Sequence, residues 1–333
     1  MTTIRDVAHR AGVAPITVSR VLNHAKPVHS ATRARVEAAI ADLNYVPNVL
    51  ARSFRSKRTE TLALILTDIT NPFWTRVARG VEDVARQAGY SLILCNTDEN
   101  EQIQIEYVHL LLRKQVDGLL LVPSRNGAAL VEMIRQQQVP VVVLDRRIPG
   151  VAVDVVRGDS EGGAYLLTRL LLQAGHRRIT LLGGPEDVPT ASDRAAGFQR
   201  ALKEAGCQAD GQVISGEYSY LSGIAMARQA LAGSPRPTAL FAGNNLIATG
   251  AIRAVQAAGL SIPEQVSLVC FDDFAPELLV EPFFTTAVQP AYELGSLAAR
   301  LLLDRLSGRI STDPQEIVLP VEIVTGRSSG PAH

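Results

Sequence analysis

Several features that mark enzymes, metalloproteins and membrane proteins are absent from this 333-residue sequence. No run approaches the roughly 18 consecutive apolar residues that span a bilayer, and the first residues contain no secretory apolar region. The three cysteines, Cys95, Cys207 and Cys270, have no metal-ligand spacing, so we expect buried thiols. The chain also lacks a Gly-x-x-x-x-Gly-Lys-Ser/Thr phosphate loop and a Cys-x-x-Cys pair. We therefore expect a cytoplasmic protein that is not an enzyme and uses no cofactor or metal.

The chain has no net charge, but its basic and acidic residues are distributed unevenly along the sequence. Residues 1–60 contain ten lysines and arginines against four acidic residues, a net charge of +6, and the remainder of the chain carries −6. A short basic segment is typical of phosphate binding, whereas a solvated charged face usually mixes signs. The first 60 residues are therefore a candidate nucleic-acid-binding segment.

Two short helices joined by a glycine are predicted for residues 3–23. Thr3 and Asp6 have the spacing of a capping box, and Gly12 stands where a helix end favours positive φ. The pattern alone also fits any small helical hairpin. The basic charge favours a helix-turn-helix, whose second helix enters the DNA major groove. The side chains of this segment expected to contact DNA are Thr3, Pro15, Ile16, Thr17, Ser19, Arg20 and Asn23.

Within that set, Arg20 is expected to read base sequence, because a guanidinium can donate hydrogen bonds to guanine O6 and N7. Pro15 and Ile16 have no hydrogen-bonding side-chain group. They are expected to touch thymine methyl groups or to shape the fit.

Several motifs, in order along the chain, resemble the lac repressor / gal repressor family of bacterial transcription regulators. They are Thr3-Ile-x-Asp-Val-Ala-x-x-Ala-Gly-Val13, Thr17-Val-Ser-Arg-Val-Leu-Asn23, Thr32-Arg-x-Arg-Val36, Asn44-Tyr-x-Pro-Asn48 and Ala51-Arg-Ser53. The resemblance extends to the C-terminus and implies a homodimeric repressor on a near-palindromic double-stranded operator. It also implies a small-molecule effector, and a protein that is cytoplasmic and nucleoid-associated. Ala14 and His29 depart from the family, which usually has serine there.

Residues 48–55 have a short helical pattern, and isolated helices below roughly 12 residues are marginal in water. In regulators of this kind, the segment orders as a hinge helix when two copies meet over the minor groove, and a leucine inserts between base pairs. Phe54 stands at that position and is expected to be the wedge. The alternative is that Phe54 packs on the sensor body. Arg52 and Arg55 are expected to contact phosphates.

Beyond residue 58, apolar runs alternate with amphipathic helical stretches, which is typical of parallel sheets with crossover helices. The runs predicted as strands are 62–66, 91–95, 118–122, 141–144, 179–182, 239–242 and 267–271. About 270 residues exceed what one core normally holds, so two lobes are expected.

The predicted architecture is an all-α helix-turn-helix domain followed by an α/β sensor of two parallel-sheet lobes, similar to periplasmic binding proteins. The domain limits are 1–46 for DNA binding, 47–59 for the hinge and linker, and 60–330 for effector binding and dimerisation. The resemblance implies one lobe of about 60–159 with 290–317, and a second of about 160–289 with 318–330.

Ligands of paired α/β lobes bind at the carboxyl ends of the strands, so residues that follow strands are candidates. Carboxylates, amides and guanidinium groups suit the hydroxyls of a sugar, and aromatic rings suit its apolar face. The set resembles the ligand residues of ribose-type sugar-binding proteins. The candidate effector-binding residues are Asn71, Phe73, Trp74, Asp145, Arg146, Arg194, Tyr218, Asn244, Asp272 and Gln289. Structural alternatives stay open: Asp145 or Asp272 could cap a helix, and Phe73 with Trp74 could be lobe core.

The charges of the candidate residues indicate which class of ligand to expect. Asp145 and Asp272 offset Arg146 and Arg194, which favours a neutral monosaccharide over a sugar acid or sugar phosphate. Arg147 would reverse that preference if it pointed inward. The alternatives are a regulator of the same class that responds to a sugar acid, a sugar phosphate or a purine, and a sugar-binding protein that does not bind DNA.

Overall fold

A computed structural model describes residues 2–23, 27–46, 58–125, 127–272, 283–310 and 313–332; within these, the side chains of Asn23 and Ala209 are not described. The chain divides into two compact units, residues 1–59 and 60–333. The predicted hinge helix, with Arg52, Phe54 and Arg55, lies outside the described residues.

The first unit contains three helices, α1 (Ile4–Ala11), α2 (Pro15–Asn23) and α3 (Ser30–Asp42). The predicted capping box is present, because the Thr3 amide donates to the Asp6 carboxylate at 2.7 Å and the Asp6 amide donates to the Thr3 hydroxyl at 3.4 Å. Gly12 ends α1 with a φ of 63°, as a left-handed C-cap. At the start of α3, His29 is the N-cap and its side chain makes no capping hydrogen bond.

A small apolar core holds these helices together. Its buried members are Val7, Ala8, Ala11, Val18, Val21, Val36 and Ala39. Ile40 and Leu43 pack against it as partly buried side chains. Because the core uses the inward faces of all three helices, the opposite face of α2 is left on the surface.

The second unit is built on two sheets, each with six strands in the described part of the chain. Sheet A has the order β11-β5-β4-β3-β1-β2, and sheet B has the order β12-β10-β9-β8-β6-β7. The strands of sheet A are β1 (Thr61–Leu66), β2 (Ser91–Asn96), β3 (Gly118–Leu121), β4 (Val141–Leu144), β5 (Asp154–Gly158) and β11 (Glu316–Leu319). Those of sheet B are β6 (Ile179–Gly183), β7 (Gly211–Ser215), β8 (Ala239–Ala242), β9 (Ser267–Phe271), β10 (Thr285–Val288) and β12 (Glu322–Val324).

Adjacent strands in both sheets are parallel, except that β12 runs antiparallel to β10. The α-helices of this unit are α4 (Pro72–Gln87), α5 (Glu101–Arg113), α6 (Gly127–Gln136), α7 (Ser160–Gln173), α8 (Pro189–Glu204), α9 (Tyr220–Leu231), α10 (Asn245–Ala257) and α11 (Ala291–Leu306). None of the described helices is long and apolar enough to cross a membrane.

Each sheet is covered on both faces, as parallel sheets require. In β1, Leu62, Leu64 and Leu66 belong to one apolar cluster and Ala63 with Ile65 to another, because successive side chains point to opposite faces. Helices α4 and α11 lie on the first of these faces. We call sheet A with its helices lobe A, and sheet B with its helices lobe B. The chain passes between them before α7, before α11 and between β11 and β12.

Candidate functional site

A cleft of about 540 Å³ is lined by residues of both lobes that follow the carboxyl ends of strands. All ten residues predicted to bind the effector line it. They come from turns and helix starts that lie far apart in sequence, and the topology brings these segments to one edge of each sheet. The cleft volume lies in the range of small-molecule sites, about 300–1,000 Å³.

Two of the lining residues are asparagines that begin helices. The side-chain oxygen of Asn71 accepts from the Phe73 amide at 3.0 Å and caps α4. That of Asn244 accepts from the Ile247 amide at 2.8 Å and caps α10. Capping fixes the rotamer of each side chain at the cleft wall. Asn71 and Asn244 are therefore helix caps at the cleft, whereas Asp145 does not begin a helix and the residues after Asp272 lie outside the described part of the chain.

The two aspartates sit instead in left-handed backbone, with φ of 65° at Asp145 and 66° at Asp272. This conformation is unfavourable for a residue with a Cβ and concentrates at functional sites. Both side chains are buried. Burial raises the pKa of Asp145 to about 6, against the opposing effect of Arg146 and Arg194. Burial also raises the pKa of Asp272, opposed by Arg194 and Gln289.

The buried guanidinium of Arg146 makes a two-bond fork with the Glu99 carboxylate, at 2.8 and 2.5 Å. It also donates to the Pro123 carbonyl at 3.2 Å, and Asp145 lies 3.8 Å away. Burial opposes the charge of Arg146, but the Glu99 hydrogen bonds and charge hold its pKa above the ordinary value. Arg146 is therefore a positioned cation that a carboxylate of the protein already neutralises.

The second cleft guanidinium, Arg194, lies 3.9 Å over the ring of Phe271 and donates to the Gly243 carbonyl at 2.6 Å. Its distance to the Asp272 carboxylate is 3.9 Å. Tyr218 also lies near it, with the guanidinium carbon 5.9 Å from the ring centroid. Cation–π contact and an ion pair thus compensate the burial of this charge.

Tyr218 and Gln289 are held by their own neighbours. A Cβ built on Gly184 would lie 2.2 Å from the Tyr218 ring, so a glycine is required where that ring packs. Gln289 donates to the Asp272 carboxylate at 2.6 Å. Burial raises the pKa of Tyr218, so its hydroxyl stays protonated and can donate.

Unpartnered polar atoms concentrate in this cleft. Among the described residues, four buried side-chain polar atoms have no hydrogen-bond partner, and three belong to cleft residues. They are Nε of Arg146, Nε of Arg194 and Oε1 of Gln289. Buried polar groups in proteins are nearly always satisfied, so these two donors and one acceptor mark places where a ligand can form hydrogen bonds.

The sequence left open whether Phe73 and Trp74 line the ligand site or belong to the lobe core, and the structure places them in both. They pack edge to face, with ring centroids 4.8 Å apart, and belong to the apolar core of lobe A. They also line the cleft, so their outer surface is an apolar wall beside the polar groups.

Sequence reasoning missed part of the lining. The additional residues are Thr67, Asp68, Thr70, Asp98, Glu99, Thr190, Glu217, Ser219 and Leu246. Several of them also follow strands, so the rule used for the ten predicted residues could have found Asp98 and Glu99 after β2. With these residues, the lining contains six carboxylates and two guanidinium groups.

Direct contacts between described residues of lobes A and B lie around the cleft. Asn71 and Asn245 exchange amide hydrogen bonds at 3.2 and 3.0 Å. Arg147 makes a fork with Asp193 at 2.6 Å for both bonds, and is not part of the lining. The condition under which Arg147 would favour an anion is therefore not met. Arg125 lies 3.0 Å from Asp187 at the exposed rim.

In the first unit, α2 presents Pro15, Ile16 and Arg20 as exposed side chains, with Ile16 54% accessible. Thr17 and Ser19 are half-buried. Thr3 is exposed, and its hydroxyl and amide both take part in the α1 capping box.

Both units of the chain match models of known protein families. Residues 3–48 match the model of bacterial regulatory proteins of the lacI family. Residues 59–323 match the model of periplasmic binding proteins and the sugar-binding domain of the LacI family. The chain belongs to the LacI family. This member of the family is thus a DNA-binding transcriptional regulator, and the predicted family, fold class and function class are confirmed.

Relatives and solved structures cover nearly the whole of this LacI-family chain. The ribose operon repressor of Escherichia coli K12 is 38% identical, covering 92% of this chain and 94% of its own. The transcriptional repressor PurR of Photobacterium profundum is 36% identical, with 93% of each chain covered. These relatives are transcriptional repressors rather than enzymes.

Among solved structures, the lac repressor dimer bound to operator and an anti-inducer has a TM-score of 0.86 at 28% identity, covering 99% of both chains. A LacI-family regulator from Enterococcus faecium with bound ribose has a TM-score of 0.73 at 32% identity, covering 82% of this chain and 100% of that one.

Proposed function

We propose that this regulator is a cytoplasmic, nucleoid-associated repressor whose operator affinity is controlled by a neutral monosaccharide bound in the cleft between lobes A and B. The observation that carries the proposal is the state of the two cleft guanidinium groups. Each is already neutralised or covered by protein groups, while its Nε has no hydrogen-bond partner. The cleft thus offers hydrogen bonds without surplus positive charge.

Hydroxyl groups match this arrangement because each can donate one hydrogen bond and accept others. Asp145 and Asp272 accept from hydroxyls, and Arg146 and Arg194 donate to them. The amide groups of Asn71, Asn244 and Gln289 provide both functions. Phe73, Trp74 and Tyr218 supply ring surfaces for the apolar face of the sugar. The E. faecium relative with bound ribose supports this ligand class.

The DNA-binding role is assigned to the domain at residues 1–46, followed by a hinge at 47–59 and the sensor at 60–330. Exposed Pro15, Ile16 and Arg20 support α2 as the helix that enters the major groove. The remaining proposed DNA contacts are Thr3, Thr17, Ser19, Asn23, Arg52, Phe54 and Arg55.

A homodimer on a near-palindromic operator follows from two-fold symmetry, since each copy supplies one recognition helix to one half-site. The lac repressor, solved as a dimer on its operator, supports this assembly. An effector changes operator affinity only if it binds one arrangement of the lobes more tightly than another. The contacts between lobes A and B are the groups that such a rearrangement would make or break.

Two measurements test the proposal. Calorimetric titration of the full chain with neutral pentoses and hexoses, sugar acids, sugar phosphates and purines should show binding in the neutral-sugar group. Binding only of purines or only of charged sugars would refute the effector class. A gel-shift assay on the gene's own upstream DNA should then show retention that the bound sugar alters.

A further inference from the structure

The position of Glu99 is unusual for a surface carboxylate. Asp98 and Glu99 are consecutive non-glycine residues in left-handed backbone, with φ of 51° and 58°. The turn is closed by the Asn100 amide, which donates to the Thr97 carbonyl at 2.9 Å, and Asp98 accepts from the Asn96 side chain at 2.7 Å. Such backbone is unfavourable for residues with a Cβ and persists where its surroundings hold it.

This turn brings the Glu99 carboxylate onto the outer edge of the Arg146 guanidinium. Both terminal nitrogens of Arg146 donate to it, and one also donates to the Pro123 carbonyl. The Arg146 side chain is 5% accessible and that of Glu99 is 36% accessible. Glu99 therefore closes the edge of the guanidinium that faces outward and leaves Nε as the donor without a partner.

That edge is the part of an arginine that recognises anions. A carboxylate or phosphate binds arginine best through two parallel N–H···O bonds. With Glu99 in place, an anionic ligand would have to displace a carboxylate and would face the other acidic groups of the lining. A hydroxyl needs only one donor, which Nε can supply.

We propose that Glu99 is a specificity-determining residue that restricts the cleft to uncharged sugars by occupying the fork of Arg146. The inference rests on the proposed monosaccharide function and adds the group that excludes sugar acids and sugar phosphates. It also states which cation an anionic sugar would bind once the carboxylate is removed.

Glu217 provides a matched control. It is a second acidic residue of the lining, and its ion pair is with Arg125 at 3.5 Å rather than with Arg146. Glu99→Gln and Glu217→Gln each remove one negative charge from the same cleft. If the loss of a negative charge from the cleft is sufficient, both variants should gain affinity for the anionic sugars. If the release of the two terminal nitrogens of Arg146 is required, only Glu99→Gln should gain affinity.

The experiment is calorimetric titration of the full-length wild type and both variants with D-ribose, D-ribonate and D-ribose 5-phosphate. We expect the wild type to bind D-ribose and to bind both anions far more weakly. Glu99→Gln should raise the affinity for at least one anion tenfold or more over wild type, and Glu217→Gln should change it by less than threefold. Adding Arg146→Gln to Glu99→Gln should abolish the gain.

Equal affinities of wild type and Glu99→Gln for both anions, with D-ribose still bound, would overturn the role of Glu99 and leave the sugar proposal intact. An equal gain in both glutamine variants would also overturn it. Failure of the wild type to bind D-ribose or any neutral sugar would count against the proposed function instead. Thermal unfolding checks that each variant is folded, and Glu99→Ala, which opens the same fork, replaces Glu99→Gln if that variant does not fold.

Discussion

The amide pair between Asn71 and Asn245 is the buried contact that most directly joins the two lobes. The two residues are 5% and 0% accessible, and their side chains exchange hydrogen bonds at 3.2 and 3.0 Å. Asn71 begins α4 in lobe A, and Asn245 is the first residue of α10 in lobe B. Separation of the lobes would break both bonds and expose both amides to water.

We call the arrangement of the lobes with both Asn71–Asn245 hydrogen bonds closed, and the arrangement with separated lobes open. Asn245→Ala should therefore destabilise the closed arrangement relative to the open one. Each net hydrogen bond contributes about 0.5–1.5 kcal/mol, so the loss of two shifts the equilibrium by about 1–3 kcal/mol. Asn71 keeps its cap on α4, because its oxygen still accepts from the Phe73 amide. If the sugar binds the closed arrangement, its affinity should fall by about 5- to 150-fold, the ratio that this coupling energy corresponds to.

Calorimetry of sugar binding by the wild type and Asn245→Ala measures this effect, and small-angle X-ray scattering of the ligand-free proteins reports the opening. Arg200→Gln is the control, since it breaks the Arg200–Glu161 ion pair, whose two partners both lie in lobe B. Its sugar affinity should equal that of the wild type. An unchanged affinity in Asn245→Ala, with unchanged thermal unfolding, would refute the idea that this pair sets the closure equilibrium.

Four further predictions rest on the described geometry and on the DNA-binding proposal. Because burial raises the pKa of Asp145 to about 6, this carboxyl becomes protonated as the pH is lowered from 7 to 5, and the affinity for sugar should fall. Asp145→Asn should remove this pH dependence. A sugar affinity of the wild type that does not change with pH would contradict the prediction. The contribution of Asp145 to the free energy of unfolding should fall between pH 4 and pH 6 as pH rises, since the native carboxyl has a pKa of about 6 and the unfolded one its ordinary pKa of 3.8; chemical denaturation of wild type and Asp145→Asn over this range measures it, and equal pH profiles would contradict it. Arg20→Ala should weaken operator binding by about 1–3 kcal/mol and relax preference at one base pair in a competition gel shift; an unchanged footprint and affinity would remove the base-reading role. His29→Ser should stabilise the DNA-binding unit by about 1 kcal/mol in chemical denaturation, because the present N-cap makes no side-chain hydrogen bond; equal midpoints would argue against it.

The limits of strand prediction have a simple physical origin. The seven predicted strands are all present, within one residue at each end, because each contains a run of consecutive apolar residues, and in all of them except β2 most of that run is buried. The five missed strands, β5, β7, β10, β11 and β12, are short and contain polar or charged residues. Their assignment depends on pairing with neighbours that are distant in sequence, as β11 pairs with β5.

Local sequence patterns determined the two helices of the helix-turn-helix and the capping box at Thr3 and Asp6, while the rule that ligands bind at strand ends and the family resemblance predicted the ten cleft residues. Periodicity and capping act over a few residues, whereas the meeting of strand ends at one cleft depends on the order of the strands in each sheet. Only the tertiary structure decided which charges meet. Arg146 pairs with Glu99, and the adjacent Arg147 pairs with Asp193 in the other lobe. Ion pairs form within about 4 Å, and that proximity arises only when distant segments fold together.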